Sequence, residues 1–178
     1  MEKKKALVIA IAGVSGAGKT TITKQLNNRL HNSKALFFDD YDFEGPDIVD
    51  WVDKGANYDL WNLTPLIRDL EKLNHEPLDY NVIDFPFAYK HSRTSKFIDF
   101  AVFIDTPLDI AMVHRMMRDF KHSSSKDILA DMENYISQGR RGYLEMLKTI
   151  KPNSDLIVDG TLSVSEVTDR IYERILRP

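Results

Sequence analysis

Residues 13–20 read Gly-Val-Ser-Gly-Ala-Gly-Lys-Thr, the pattern G-x-x-x-x-G-K-[ST], and the flanks give it structural meaning. Ala6 to Ala12 is an unbroken apolar run of strand length, as a parallel strand covered on both faces requires. After the glycines, Ile22, Leu26 and Leu30 recur every four residues, so the loop opens a helix. Glycines let successive backbone N–H groups turn inward around a polyphosphate, and the helix N-terminus adds positive potential. The loop from Gly13 through Ser15, Gly16, Ala17 and Gly18 to Thr21 is therefore expected to cradle the phosphates of ATP. Lys19 would reach the β- and γ-phosphates, and Thr20 would place its hydroxyl on Mg²⁺.

Further apolar runs follow at 35–38, 81–84, 100–104 and 156–158, separated by helical patterns. That alternation predicts βαβ units and a parallel sheet. Thr106-Pro107-Leu108-Asp109 offers an N-cap, a proline at the first helical position and an acid at the third, which predicts a helix running to about Phe120. Ser163 and Glu166 form a capping box ahead of Val167, Ile171 and Ile175, so the last segment is predicted to be a packed helix. Between these, His122 to Lys126 is polar and serine-rich and reads as a mobile loop, followed over about 127–150 by one long helix or two short ones. The expected fold is α/β: a P-loop NTPase fold with a five-stranded parallel sheet and helices on both faces. It forms a single domain over 1–178, with a small lid at about 115–142.

A chain of 178 residues, 43% hydrophobic and 29% charged, is long enough to bury one full core. Its net charge of -3 and lack of a basic stripe argue against nucleic acid or an anionic membrane surface as partner. Cysteine is absent, which removes disulfides, thiol nucleophiles and cysteine metal sites. With no apolar run approaching the ~20 residues of a membrane span, the expected location is the cytoplasm, and a homo-oligomer is left open.

A phosphate loop fixes the donor but not the reaction. The guanine-reading Asn/Thr-Lys-x-Asp pattern of GTPases is missing; Ser124-Ser125-Lys126-Asp127 is the nearest approach. Asp39 and Asp40 follow the second apolar run, at the sheet edge where ligands bind in open parallel sheets. A carboxylate there can accept the proton of an attacking hydroxyl, which makes Asp39 the candidate base. Asp84 ends the third run and is the candidate acid at the Mg²⁺ site, the alternative being a strand-end Asp before Phe85-Pro86. Arg115 and Arg118 lie three apart on one helix and are candidates to neutralise the transferring phosphoryl group; Arg140 and Arg141 are weaker ones. Between 39 and 84, thirteen acids face three bases, so a phosphorylated acceptor would be repelled and a neutral or cationic hydroxyl compound suits better. Tyr41, Phe43, Trp51, Tyr58 and Trp61 in the same stretch either stack a planar base or belong to the core.

These pieces, in this order, resemble the uridine kinase and phosphoribulokinase family of P-loop kinases, which includes nicotinamide riboside kinases. The matching strings are residues 13–20, Phe-Asp-Asp-Tyr-Asp-Phe at 38–43, Tyr-Asp-Leu-Trp-Asn-Leu at 58–63, Phe-Ile-Asp-Thr-Pro at 103–107, Arg-Met-Met-Arg-Asp at 115–119 and Ser-Asp-Leu-Ile-Val at 154–158. The resemblance implies ATP-dependent transfer to a hydroxyl of a nucleoside-like small molecule. It makes Asp39 the base and Asp59, with Tyr41 nearby, a sugar-binding acid. Asp84 falls at the Mg²⁺ site, and Arg115 and Arg118 at the start of the lid. Two departures stand out: the family's Tyr-Asp-Phe-x-x-His-Ser element is shortened or lost between Glu76 and Asp84, and Ala111 stands where the family has a sugar-binding arginine. They leave open a kinase of a non-nucleoside hydroxyl metabolite, or a nucleotide-binding regulator without productive acceptor binding.

Overall fold

The computed structural model describes residues 5–177. Strand β1 (Leu7–Ala12) lies at the centre of a parallel five-stranded sheet, in the order β2 (Ser33–Phe37), β3 (Tyr80–Asp84), β1, β4 (Phe100–Asp105), β5 (Leu156–Asp159). The apolar run at 6–12 is continuous because both of its faces are covered. Val8, Ala10 and Ala12 belong to one core layer with Phe85, Phe103 and Leu66, while Ile9 and Ile11 belong to the other with Leu26, Val102 and Ile171.

Helix α1 (Lys19–Arg29) begins directly at the glycine loop and packs beside α8 (Val164–Leu176) on the second layer. The first layer is built on α2 (Ile48–Asp53) and α3 (Thr64–Leu73), and the short α4 (Ser92–Ser95) lies between β3 and β4 in the chain. Alternation of strand and helix thus yields the helix-covered sheet expected. The Ser163–Glu166 capping box is present, with the Ser163 hydroxyl accepting from the Glu166 N–H at 3.3 Å. Among the described residues no helix is long and apolar enough to cross a membrane.

Two local expectations change. Helix α5 (Leu108–Asp119) starts where expected, but Pro107 takes the cap position and Thr106 caps nothing. Instead the buried Thr106 hydroxyl donates to the Ala17 carbonyl at 3.1 Å, satisfying a carbonyl of the phosphate loop. The serine-rich stretch is not a loop throughout: Ser124 and Asp127 form a capping box that starts α6 (Ser125–Asn134). Helix α6 runs through one turn of π-helix (Tyr135–Gly139) into α7 (Arg140–Thr149) with helical backbone at both junctions, so residues 125–149 are one interrupted helix.

Candidate active site

The C-terminal ends of the strands meet at a cleft of about 790 Å³. The glycine loop forms its floor. Gly18 sits at φ 94 as the N-cap of α1, and Gly16 at φ 84 lies so close to α5 that an added Cβ would be 1.9 Å from the Ala111 carbonyl oxygen. Glycine is required at 16 by conformation and by space alike. Ala111 is fully buried and packs its carbonyl against the loop at Gly16.

Lys19 lines the cleft and donates to the Val14 carbonyl at 3.1 Å. Burial pushes its ammonium pKa down, opposed by Asp84 and then Asp39. Thr20 donates to the Asp84 carboxylate at 2.6 Å. Asp84 is 3% exposed, burial pushes its pKa up against the pull of Lys19, and its second oxygen is buried without a partner. A hydroxyl and a carboxylate with an unsatisfied oxygen, next to a phosphate loop, fit Mg²⁺, which takes one or two protein ligands and completes its shell with phosphates and water. Consistently, no cluster of three or more His, Asp or Glu suited to a metal is found among the described residues.

Asp39 follows β2 in a single 3₁₀ turn (Phe38–Asp40), lines the same cleft, and is close enough to couple electrostatically with Lys19, Asp84 and Arg118. Arg118 also lines it, held by Asp119 at 2.6 Å and reaching the Ser15 hydroxyl at 3.4 Å. Residues 13, 15–21, 39, 84 and 118 are therefore brought together.

Other candidates are not. Arg115 turns away from the cleft into an ion pair with Asp131 at 2.5 Å, its side chain 13% exposed. Arg141 pairs with Asp53, joining α7 to α2 outside the cleft, and Arg140 is exposed and outside its lining. Asp59 accepts from the Ser92 N–H at 2.6 Å and lines a separate small groove with Asn62 and Arg93. Tyr41 donates to Asp69 at 2.9 Å and stacks on Phe43, also outside the cleft. Of the thirteen acids between 39 and 84, Asp39 and Asp84 alone line the cleft; of the five aromatics, Trp51 and Trp61 do. The stretch from Glu76 to Asp84 is the entry to β3 and β3 itself. After the strand, buried His91 bonds Thr94 at 2.5 Å and the Trp61 carbonyl at 3.2 Å.

His114, Tyr143 and Phe87 are among the lining residues that the sequence reading did not single out. His114, one turn before Arg118 on α5, touches the Gly16 carbonyl at 3.2 Å, and the i, i+4 spacing was there to be read. Tyr143 lies on α7 and Phe87 follows β3; neither carries a local signal, because only the fold brings them near the loop.

A parallel sheet in the order 2-3-1-4-5, a glycine cradle on its central strand, and a buried Thr–Asp pair beside the cradle's lysine define a P-loop NTPase-type nucleotide-binding protein. In sequence it is uridine kinase-like. It is 24% identical over 184 residues to a uridine kinase of Anoxybacillus flavithermus, covering 88% of this chain and 87% of that one. It is 26% identical over 189 residues to that of Oceanobacillus iheyensis, covering 89% and 88%. Among solved structures, a deoxyadenosine kinase of M. mycoides shares the fold at TM-score 0.57 and 16% identity, over 97% of this chain and 100% of that one. Shikimate kinase of Aquifex aeolicus shares it at TM-score 0.53 and 15% identity, over 95% and 96%. No family model matches the chain.

Proposed function

We propose that this protein is an ATP-dependent kinase that transfers the γ-phosphoryl group to a hydroxyl of a nucleoside-like small molecule. What carries the reading is the meeting of Asp39 with Lys19, Asp84 and Arg118 in one cleft: a carboxylate on the β2 side faces the phosphate loop, where an attacking hydroxyl would have to sit. The similarity to uridine kinases supports the acceptor class.

In this mechanism the loop amides and Lys19 hold the donor's phosphates, and Thr20 and Asp84 hold Mg²⁺. Mg²⁺ held there would supply positive charge to offset that of the donor's phosphates. Asp39 orients the acceptor hydroxyl and takes its proton as the oxygen attacks. Arg118, tethered by Asp119 and close to Ser15, lies over the loop and offsets charge on the transferring group. Residues of about 115–142 would act as the lid, within a single domain.

The test is a screen of nucleosides and other hydroxyl metabolites with ATP and Mg²⁺, read by product mass, on the native chain and on Asp39→Ala. An acceptor-dependent phosphorylated product is expected, and Asp39→Ala is expected to keep nucleotide binding while losing turnover by about 10² or more. Near-normal turnover in the variant would sink the role of Asp39. A nucleotide-bound chain that phosphorylates nothing would favour a regulator instead.

A further inference from the structure

The acceptor side of the cleft lies by the ends of β2 and β3, on the opposite side of the phosphate loop from β4 and β5. Its wall is made of Phe38, Ile48, Trp51, Trp61, Phe87 and Met146. The rings form one assembly: Trp61 and Phe87 have centroids 5.4 Å apart, and Phe38 meets Phe87 edge-on at 5.6 Å. Gly45 lets Trp61 lie flat, since a Cβ there would come within 2.4 Å of the indole.

The polar ends of these and neighbouring aromatics are withdrawn from the cleft. The Trp51 indole N–H donates to the Asn57 carbonyl at 2.9 Å. The Tyr58 hydroxyl is bonded to Thr149 at 2.8 Å, and the Tyr41 hydroxyl to Asp69 at 2.9 Å. The Trp61 indole nitrogen is buried, though without a hydrogen-bond partner. Asp59, the acid that the resemblance assigns to sugar hydroxyls, is spent on the Ser92 N–H at 2.6 Å. The fully charged side chains of the lining are Lys19, Asp39, Asp84 and Arg118; Lys19 and Arg118 serve the donor in the reading above, and Asp84 is bonded to Thr20.

A vicinal diol brought into this wall would lose water and gain few hydrogen bonds, which disfavours its burial. A flat, weakly polar ring would gain stacking and apolar contact. Resting on the kinase reading above, the geometry points to an acceptor recognised through a planar ring, with one reacting hydroxyl at Asp39 and no requirement for a sugar diol. The substrate class is an uncharged ring-bearing alcohol, and polyols and anionic acceptors are disfavoured.

The chain's two tryptophans both line the cleft, so intrinsic fluorescence reports acceptor binding independently of turnover. Three probes decide the question: uridine, 2′,3′-dideoxyuridine, which keeps the 5′-hydroxyl but has no diol, and D-ribose, which has hydroxyls but no ring system to stack. With ATP and Mg²⁺, dideoxyuridine is expected to keep kcat/KM within tenfold of uridine, and ribose to fall at least a hundredfold below both. Trp61→Ala should raise KM for uridine about tenfold with KM for ATP unchanged, and Trp61→Phe should restore it.

A dideoxyuridine loss beyond tenfold, ribose matching uridine, or an unchanged uridine KM in Trp61→Ala overturns the inference. If no probe is phosphorylated, the kinase reading fails on its own, and the inference is still read from fluorescence-derived Kd. Equal quenching by uridine and dideoxyuridine without quenching by ribose upholds it, whereas a preference for uridine beyond tenfold, or no quenching by any probe, overturns it.

Discussion

The Thr20 hydroxyl donates to the Asp84 carboxylate at 2.6 Å, tying the start of α1 to the end of β3 across 64 residues of chain. Asp84 thereby has one oxygen satisfied and one free, in a place where burial opposes its charge. That free oxygen is the one the proposed Mg²⁺ role requires.

Asp84→Asn keeps the shape and removes the charge. Turnover, or the Mg²⁺ concentration needed for half-maximal rate, is expected to worsen roughly 10- to 100-fold, the usual range for residues that orient a metal site. Because burial raises the Asp84 pKa, its ionisation lowers stability as pH rises above the ordinary 3.8, so the variant's free-protein melting temperature near neutrality should be equal or higher. An unchanged rate and Mg²⁺ dependence would dismiss the metal role.

Arg115 and Arg118 occupy one helix but divide their work. Arg118→Ala should lower kcat by roughly 10²-fold or more with little change in melting temperature, as loss of a phosphoryl-facing arginine does. Arg115→Ala leaves Asp131 without its partner in a mostly buried pair and should cost about 1–3 kcal/mol of stability. Kinetics and thermal melts on both variants separate the two; equal kinetic loss with no stability loss for Arg115 would contradict the division.

Gly16→Ala needs φ 84 and a Cβ 1.9 Å from the Ala111 carbonyl. Strain of about 2 kcal/mol would lower the melting temperature by roughly 4–8 °C in a chain of this size, with weakened nucleotide binding. Gly18→Ala has open space at its Cβ and pays the conformational cost alone, so it should melt higher than Gly16→Ala.

His91 is 2% exposed, takes hydrogen bonds from Thr94 and donates to the Trp61 carbonyl, and burial pushes its pKa below the ordinary 6.5 against Asp59. The folded state therefore binds the proton less tightly than the unfolded state. Stability is complete above 6.5 and is lost as pH falls through the window beneath it. Denaturation midpoints at successive pH values should show this loss in the native chain and a shallower one in His91→Gln; parallel slopes would exclude His91 as the cause.

The donor half of the site was legible because its signals are local: Gly16, Gly18, Lys19 and Thr20 are neighbours in sequence, and the period of Ile22, Leu26 and Leu30 marks the helix. Asp39 and Asp84 were legible because strand ends converge in a parallel sheet. Asp59 and Tyr41, given their roles by resemblance, lie outside the cleft, bonded to the Ser92 N–H and to the Asp69 carboxylate. Thr106 looked like a cap because cap residues are recognised by spacing, while its real partner, the Ala17 carbonyl, is 89 residues away. Tyr143 and Phe87 carry no local sign of their place, which long-range packing alone creates.

The π-helical turn at Tyr135–Gly139 sets the phase of the helix that follows it. Each α-helical residue advances about 100° around the axis, so accommodating one extra residue rotates everything beyond it by about that angle. Gly142, Tyr143 and Met146 line the cleft, whereas Leu129 and Met132 before the turn and Ile136 within it are exposed. Deleting a single residue between 135 and 139 would therefore act like twisting a key by a quarter turn in its lock: the helix would persist, and a different side of it would confront the cleft.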